Sequence, residues 1–162
     1  MVRVSFRVPL PLVASAVLLF SFTLLTSAQS SASAVSPRER TAMAQNFASE
    51  KLSLWQKRLN LEDWKLGVEV VRATELKPRT LGNIHWDTDR KTAVIRVLDP
   101  ADYRMAEPEM LNDIEFTVVH ELIHLELAPV LGPLTRSDAN RREEEHAVNN
   151  MADGLLKLDR RK

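Results

Sequence analysis

The 162-residue sequence contains no cysteine, a single tyrosine and no excess of charge of either sign. Each absence excludes something. Without cysteine no disulfide can brace the chain, so its core alone must stabilise it. Lysine and arginine total 22 and aspartate and glutamate 22. No clustered basic face points to a nucleic-acid partner. No segment repeats at a fixed spacing, which excludes solenoid and propeller architectures.

The first residues differ in kind from the rest. Arg3 and Arg7 precede an uncharged apolar run over residues 8–25, and Thr26 and Ala28 place small residues just before Gln29. That is the layout of a secretory signal peptide cut after Ala28. Pro9, Pro11 and the small-residue cut site favour removal over retention as an anchor, which would be the one route to a membrane. The expected organisation is a signal peptide over 1–28, a flexible Ser/Ala spacer over 29–36 and one domain over 37–162. The product would be secreted or periplasmic and monomeric. Cleavage removes two basic residues and no acidic ones, leaving 20 against 22. The 134 residues that remain of 162 suffice for one domain with a real core.

Within that domain, Ser36-Pro37-Arg38-Glu39 combines an N-cap serine, a first-turn proline and a capping-box glutamate. It predicts a helix to about residue 59. Met43, Phe47 and Leu54 form one apolar stripe on it, and Ala48, Leu52, Trp55 and Leu59 another, so a broad face packs on a sheet or a helix. Residues 64–72 alternate and end β-branched, which predicts a strand. Residues 81–86 and 92–98 flank Asp87-Thr88-Asp89-Arg90, which predicts a hairpin. Pro108-Glu109 opens a central helix, and the Pro129-containing segment 128–133 ends it. Ser137-Asp138 caps a final helix to about residue 159, with Ala147, Val148, Met151, Ala152, Leu155, Leu156 and Leu158 as its apolar face. The class is α+β, with an antiparallel or mixed three-stranded sheet.

The central helix carries the chemistry. Ile114, Phe116, Val118, Val119, Leu122, Ile123, Leu125 and Leu127 make it apolar nearly all round, so it is a buried helix. Asp113, Thr117, His120 and His124 fall on one face, and polar groups on a buried helix need partners there. Residues 120–124 read H-E-x-x-H: two imidazoles four apart can share one metal ion, with Glu121 in reach of its bound water. Lacking cysteine, the chain can build such a site only from histidine and carboxylate. Zinc held by two imidazoles needs a third protein ligand and one open position. Glu143, Glu144 and Glu145 on the last helix point in three directions, so one of them at most faces the histidines. Glu145 is preferred, with Asn149 one turn along to orient a ligand; Glu144 is its rival.

A buried H-E-x-x-H helix followed by a glutamate on a second helix resembles the zincin metallopeptidases, and the glutamate resembles their gluzincin branch. The compact plan is similar to the minimal SprT-like and ImmA-like peptidases. The resemblance implies a zincin-like fold, His120, His124 and Glu145 as Zn2+ ligands, and a peptide or protein substrate. Glu121 would be the general base, taking a proton from zinc-activated water and passing it to the leaving amine. No H-x-x-G-x-x-H extension follows His124, which puts the metzincin branch out, and the expected single domain over 37–162 does not include the long C-terminal domain that forms half the cleft in thermolysin-like enzymes. An oxyanion donor is also needed, for which Tyr103 and His85 are candidates; His146 is a surface residue. The expected function is an exported zinc-dependent metallopeptidase. The alternative is a non-catalytic zinc-stabilised binding domain, against which a base beside the first ligand argues.

Overall fold

The computed structural model describes residues 35–135 and 137–161; the expected signal peptide and most of the spacer lie outside them. Ser36 opens helix α1 (Pro37–Arg58) as its capping box requires. Its Oγ accepts from the Glu39 N–H at 3.3 Å, and the Glu39 carboxylate accepts from the Ser36 N–H at 2.8 Å. Strands β1 (Lys65–Val71), β2 (Gly82–Asp87) and β3 (Thr92–Leu98) follow, then helices α2 (Glu107–Leu131) and α3 (Asp138–Asp159). Ser137 caps α3, accepting from the Asn140 N–H at 3.1 Å.

The sheet is mixed, in the order β1-β3-β2. β3 is central, parallel to β1 with Ile95 opposite Val68, and antiparallel to β2 with Ile95 opposite Ile84. Because side chains alternate across a sheet, this register turns Ala93, Ile95 and Val97 into the core, where all three are buried. Ile84 and Trp86 share that face, while His85 and Arg96 lie on the other. The two outer strands are treated differently. The Gln45 side chain lies along β1, donating to the Val68 carbonyl at 2.8 Å and accepting from the Val70 N–H at 3.0 Å. Helix α1 thus satisfies part of one edge of the sheet, while among the described residues no strand pairs with the outer edge of β2.

Helix α2 is the centre of the core. Met110, Ile114, Val118, Val119 and Leu122 have no exposed surface, because α1, the sheet and α3 surround the helix. On the side facing α1 the buried Glu115 accepts from Trp55 Nε1 at 3.1 Å and pairs with Lys51 Nζ at 3.1 Å. This polar contact was not legible in the sequence. The helix also outlasts its expected stop: Pro129 lies inside it, and it ends at Leu131. A proline so near a C-terminus removes a single backbone bond, and the Gly132 N–H still reaches the Ala128 carbonyl at 2.8 Å.

Helix α3 buries less than its apolar residues suggested. Only Val148, Ala152 and Leu156 are buried, at steps of four, whereas Ala147, Met151 and Leu158 are exposed. The helix rests on α2 along one narrow stripe, so its flanking residues have nothing above them. Met151, Leu155 and Leu158 instead line a shallow apolar groove with Leu59, Ile123 and Leu127.

Gly82 sets the distance between β2 and α2. A Cβ there would collide with Thr117 Cγ2 and lie 2.6 Å from the Arg96 carbonyl oxygen. Since the carbonyl belongs to the central strand, it cannot yield freely. Gly82→Ala is therefore expected to cost about 1–3 kcal/mol, read as a lower urea midpoint. Glu115→Ala, which strands Lys51 and the indole N–H, is expected to cost about 3–5 kcal/mol in the same assay. An unchanged midpoint in either variant would contradict the packing described.

Candidate metal centre

Asp113, Thr117, His120 and His124, the four polar residues on one face of α2, all line a single cleft of about 610 Å3. Its walls are β2 with the loop before it, and the first turns of α3. The helical spacing stacks the two imidazoles, with Nε2 atoms 3.0 Å apart and ring centroids 4.7 Å apart at 69°. Glu145 reaches across from α3. Its Oε2 lies 3.3 Å from His120 Nε2 and its Oε1 3.4 Å from His124 Nε2. The donor atoms of His120, His124 and Glu145 form a group that can hold a metal ion.

The neighbouring carboxylate has different work. Glu144 Oε1 lies 3.1 Å from His124 Nδ1. A carboxylate only accepts, so this nitrogen carries a proton, and in the neutral ring Nε2 of His124 turns a lone pair towards the centre. Glu144 and Glu145 are consecutive, and each reaches a different nitrogen of the same ring. The sequence held a signal for the role of Glu144: residues 144, 148, 152 and 156 recur at fours along the buried stripe.

The donor set fits zinc. Ligands about 2.0–2.1 Å from a tetrahedral zinc ion stand about 3.3 Å from one another, close to the 3.0, 3.3 and 3.4 Å found here. Two imidazole nitrogens and two carboxylate oxygens converge there, and a cation would relieve that crowding. Burial, and then the charge on His124, hold His120 below the ordinary histidine range, against the pull of Glu145 and Asn149. A ring that stays neutral keeps its lone pair for a metal. Its buried Nδ1 has no hydrogen-bond partner among the described residues.

Glu121 follows the first histidine and is 8 % exposed. Burial, and then the negative charge of Glu145, push its carboxyl up to about 7. The candidate oxyanion donors lie elsewhere. His85 is exposed on the outer face of the sheet and lines no part of the cleft. Tyr103 also stays outside it, donating to Asp113 Oδ2 at 2.7 Å. His146 is exposed, 3.1 Å from Asn150 Nδ2. The lips of the cleft carry residues that the motif did not suggest, among them Lys77, Arg79 and Arg141.

No protein-family model, no curated protein and no solved structure matches the chain.

A pH dependence follows from Glu121. Its carboxyl holds its proton to higher pH when folded than the ordinary value of 4.5. The stability it contributes is therefore complete below pH 4.5 and lost as pH rises through about 7. His120 acts in the opposite sense below the ordinary histidine value of 6.5. Comparison with Glu121→Gln isolates the carboxyl. In EDTA, wild type should lose on the order of 2–3 kcal/mol relative to Glu121→Gln between pH 4.5 and 8, measured by urea unfolding. Parallel curves would contradict the burial of an ionisable group here. Glu144→Gln should weaken zinc affinity by about 10–100-fold in a chelator competition titration, and Glu145→Ala by more.

Proposed function

We propose that the chain is an exported zinc-dependent peptidase with Glu121 as general base. One observation carries the reading. Donor atoms of His120, His124 and Glu145 converge at a cleft, and a buried carboxyl follows the first of them on the same helix. The likeness to minimal zincins is supported by the order of elements: a first helix, a small mixed sheet, a buried motif helix and a ligand-bearing helix.

When bound, zinc would supply Lewis acidity and make a water acidic enough to lose its proton near neutral pH. His120 and His124 would hold the ion through Nε2, and Glu145 through its carboxylate. Glu144 keeps the His124 ring in orientation. Glu121 accepts a proton from a water in the cleft and returns it to the departing amine. A carboxyl poised near neutrality suits both halves of that exchange. An extended peptide pairs with the open edge of β2, and the backbone hydrogen bonds hold its scissile bond against α2.

One observation favours a second reading, a zinc-stabilised binding domain without catalysis. Helix α3 rests on only three buried side chains, so an ion bridging it to α2 would stabilise the fold in its own right.

The two separate on one pair of proteins. Wild type and Glu121→Gln are loaded with zinc, metal content is measured, and a mixed peptide library is digested. The peptidase reading expects full zinc in both and a loss of about 10²–10⁴-fold in cleavage for the variant. Zinc in both with cleavage by neither favours the binding domain. No zinc in either removes both readings.

A further inference from the structure

Three exposed cationic side chains line the cleft in a way that neither the metal nor the fold requires. Lys77 and Arg79 stand on one lip, in the loop between β1 and β2, and Arg141 stands on the other, in α3. The loop is a tight turn rather than a loose one. Leu76 is buried at its start, Thr80 bonds the Lys77 carbonyl through both its N–H (3.1 Å) and its hydroxyl (2.8 Å), and Arg79 is held at φ 67. Arg141 sits in the first turn of α3, where the helix dipole disfavours a cation. Helix formation therefore gives no reason for it.

None of the three cations has an ion-pair partner among the described residues. All three side chains are exposed. The carboxylates that share the cleft are directed elsewhere. Asp113 accepts from Tyr103, Glu144 holds His124, Glu145 turns towards both Nε2 atoms, and Glu121 lies buried at the base. Arg141 is one turn before Glu145 on α3, the spacing of a helical ion pair, yet Glu145 faces the histidines instead. A substrate in the cleft thus faces three cations that have no ion-pair partner among the described residues. A divalent ion at the three-residue group would raise the positive potential further.

We propose that the cleft selects peptides carrying a carboxylate close to the scissile bond, with Lys77, Arg79 and Arg141 as specificity-determining residues. The inference rests on the peptidase reading and deepens it. Both a side-chain carboxylate of aspartate or glutamate and the carboxylate of a free C-terminus have the required chemistry. Arginine binds either in a bidentate fork, and lysine as a point charge.

The test uses zinc-loaded Glu121→Gln protein, so that peptides bind without turnover, and labelled peptides of one sequence in three forms. The first has glutamate and an amidated terminus, the second glutamine and a free terminus, the third glutamine and an amidated terminus. Fluorescence anisotropy should show the first or second form binding about tenfold tighter than the third at low salt. Which of the two gains identifies the carboxylate that is read. The preference should shrink towards unity at high salt and on adding Lys77→Gln, Arg79→Gln and Arg141→Gln together. These exposed substitutions leave the core and the ligand group untouched, and zinc content serves as the check. Equal binding of all three peptides, or a preference that survives the triple substitution, overturns the proposal. Wild-type protein that cleaves charged and neutral peptides equally well also overturns it while leaving the peptidase reading standing. Charge-selective binding with no cleavage by wild type does the reverse.

Discussion

A helix buried on almost every side has few outlets for its polar residues, and α2 has two. Leaving a buried donor or acceptor unpaired costs about 1–3 kcal/mol, so several polar side chains on α2 dictate something in a neighbouring element. On the side facing α1, Glu115 is matched by Lys51 and the Trp55 indole. On the opposite side Asp113 takes the Tyr103 hydroxyl and the two histidines take the glutamates of α3. Thr117 is accommodated because Gly82 has no side chain. The cleft is the place where these requirements meet, and it follows from how the helix is buried.

Much of this was legible in the residues, and the division has a physical basis. Helix starts depend on a few adjacent groups, so Ser36 with Glu39 and Ser137 with Asp138 marked α1 and α3 to within a residue. The central strand was legible because its β-branched run suits a strand with one face in the core, where Ala93, Ile95 and Val97 are buried. Periodicity, however, reports only that a face is apolar, not what covers it. Ala147, Met151 and Leu158 belong to the apolar face of α3 and are nonetheless exposed, because coverage depends on the width of the neighbour. The parallel pairing of β1 with β3, the Gln45 contact and the closeness of Gly82 to Thr117 are all long-range, and nothing local encodes them. His85 read as a candidate donor until the register turned it away from α2.

The acidic run on α3 shows the same limit at finer scale. Adjacent helical residues point about 100° apart, which suggested that one glutamate at most would face the histidines. An imidazole has two nitrogens on different sides of its ring, and this lets two adjacent carboxylates serve it from different directions. Glu144 becomes enclosed, with a side chain 11 % exposed, and Glu145 stays open at 57 %. The enclosed carboxylate orients the ring, and the open one remains free to adjust its distance to whatever sits between the three donors.

The unequal treatment of the sheet edges has a consequence for self-association. Exposed edges are where folded chains stack into fibres, because each added strand presents a new edge to the next. Here the two edges are unequal in that respect. The amide of Gln45 already occupies the Val68 carbonyl and the Val70 N–H on the β1 side, so β1 offers an incoming strand fewer free groups than β2. Two copies joined through β2 would bury both of those edges and leave at either end a strand partly occupied by glutamine. A third copy would find a poorer template to extend.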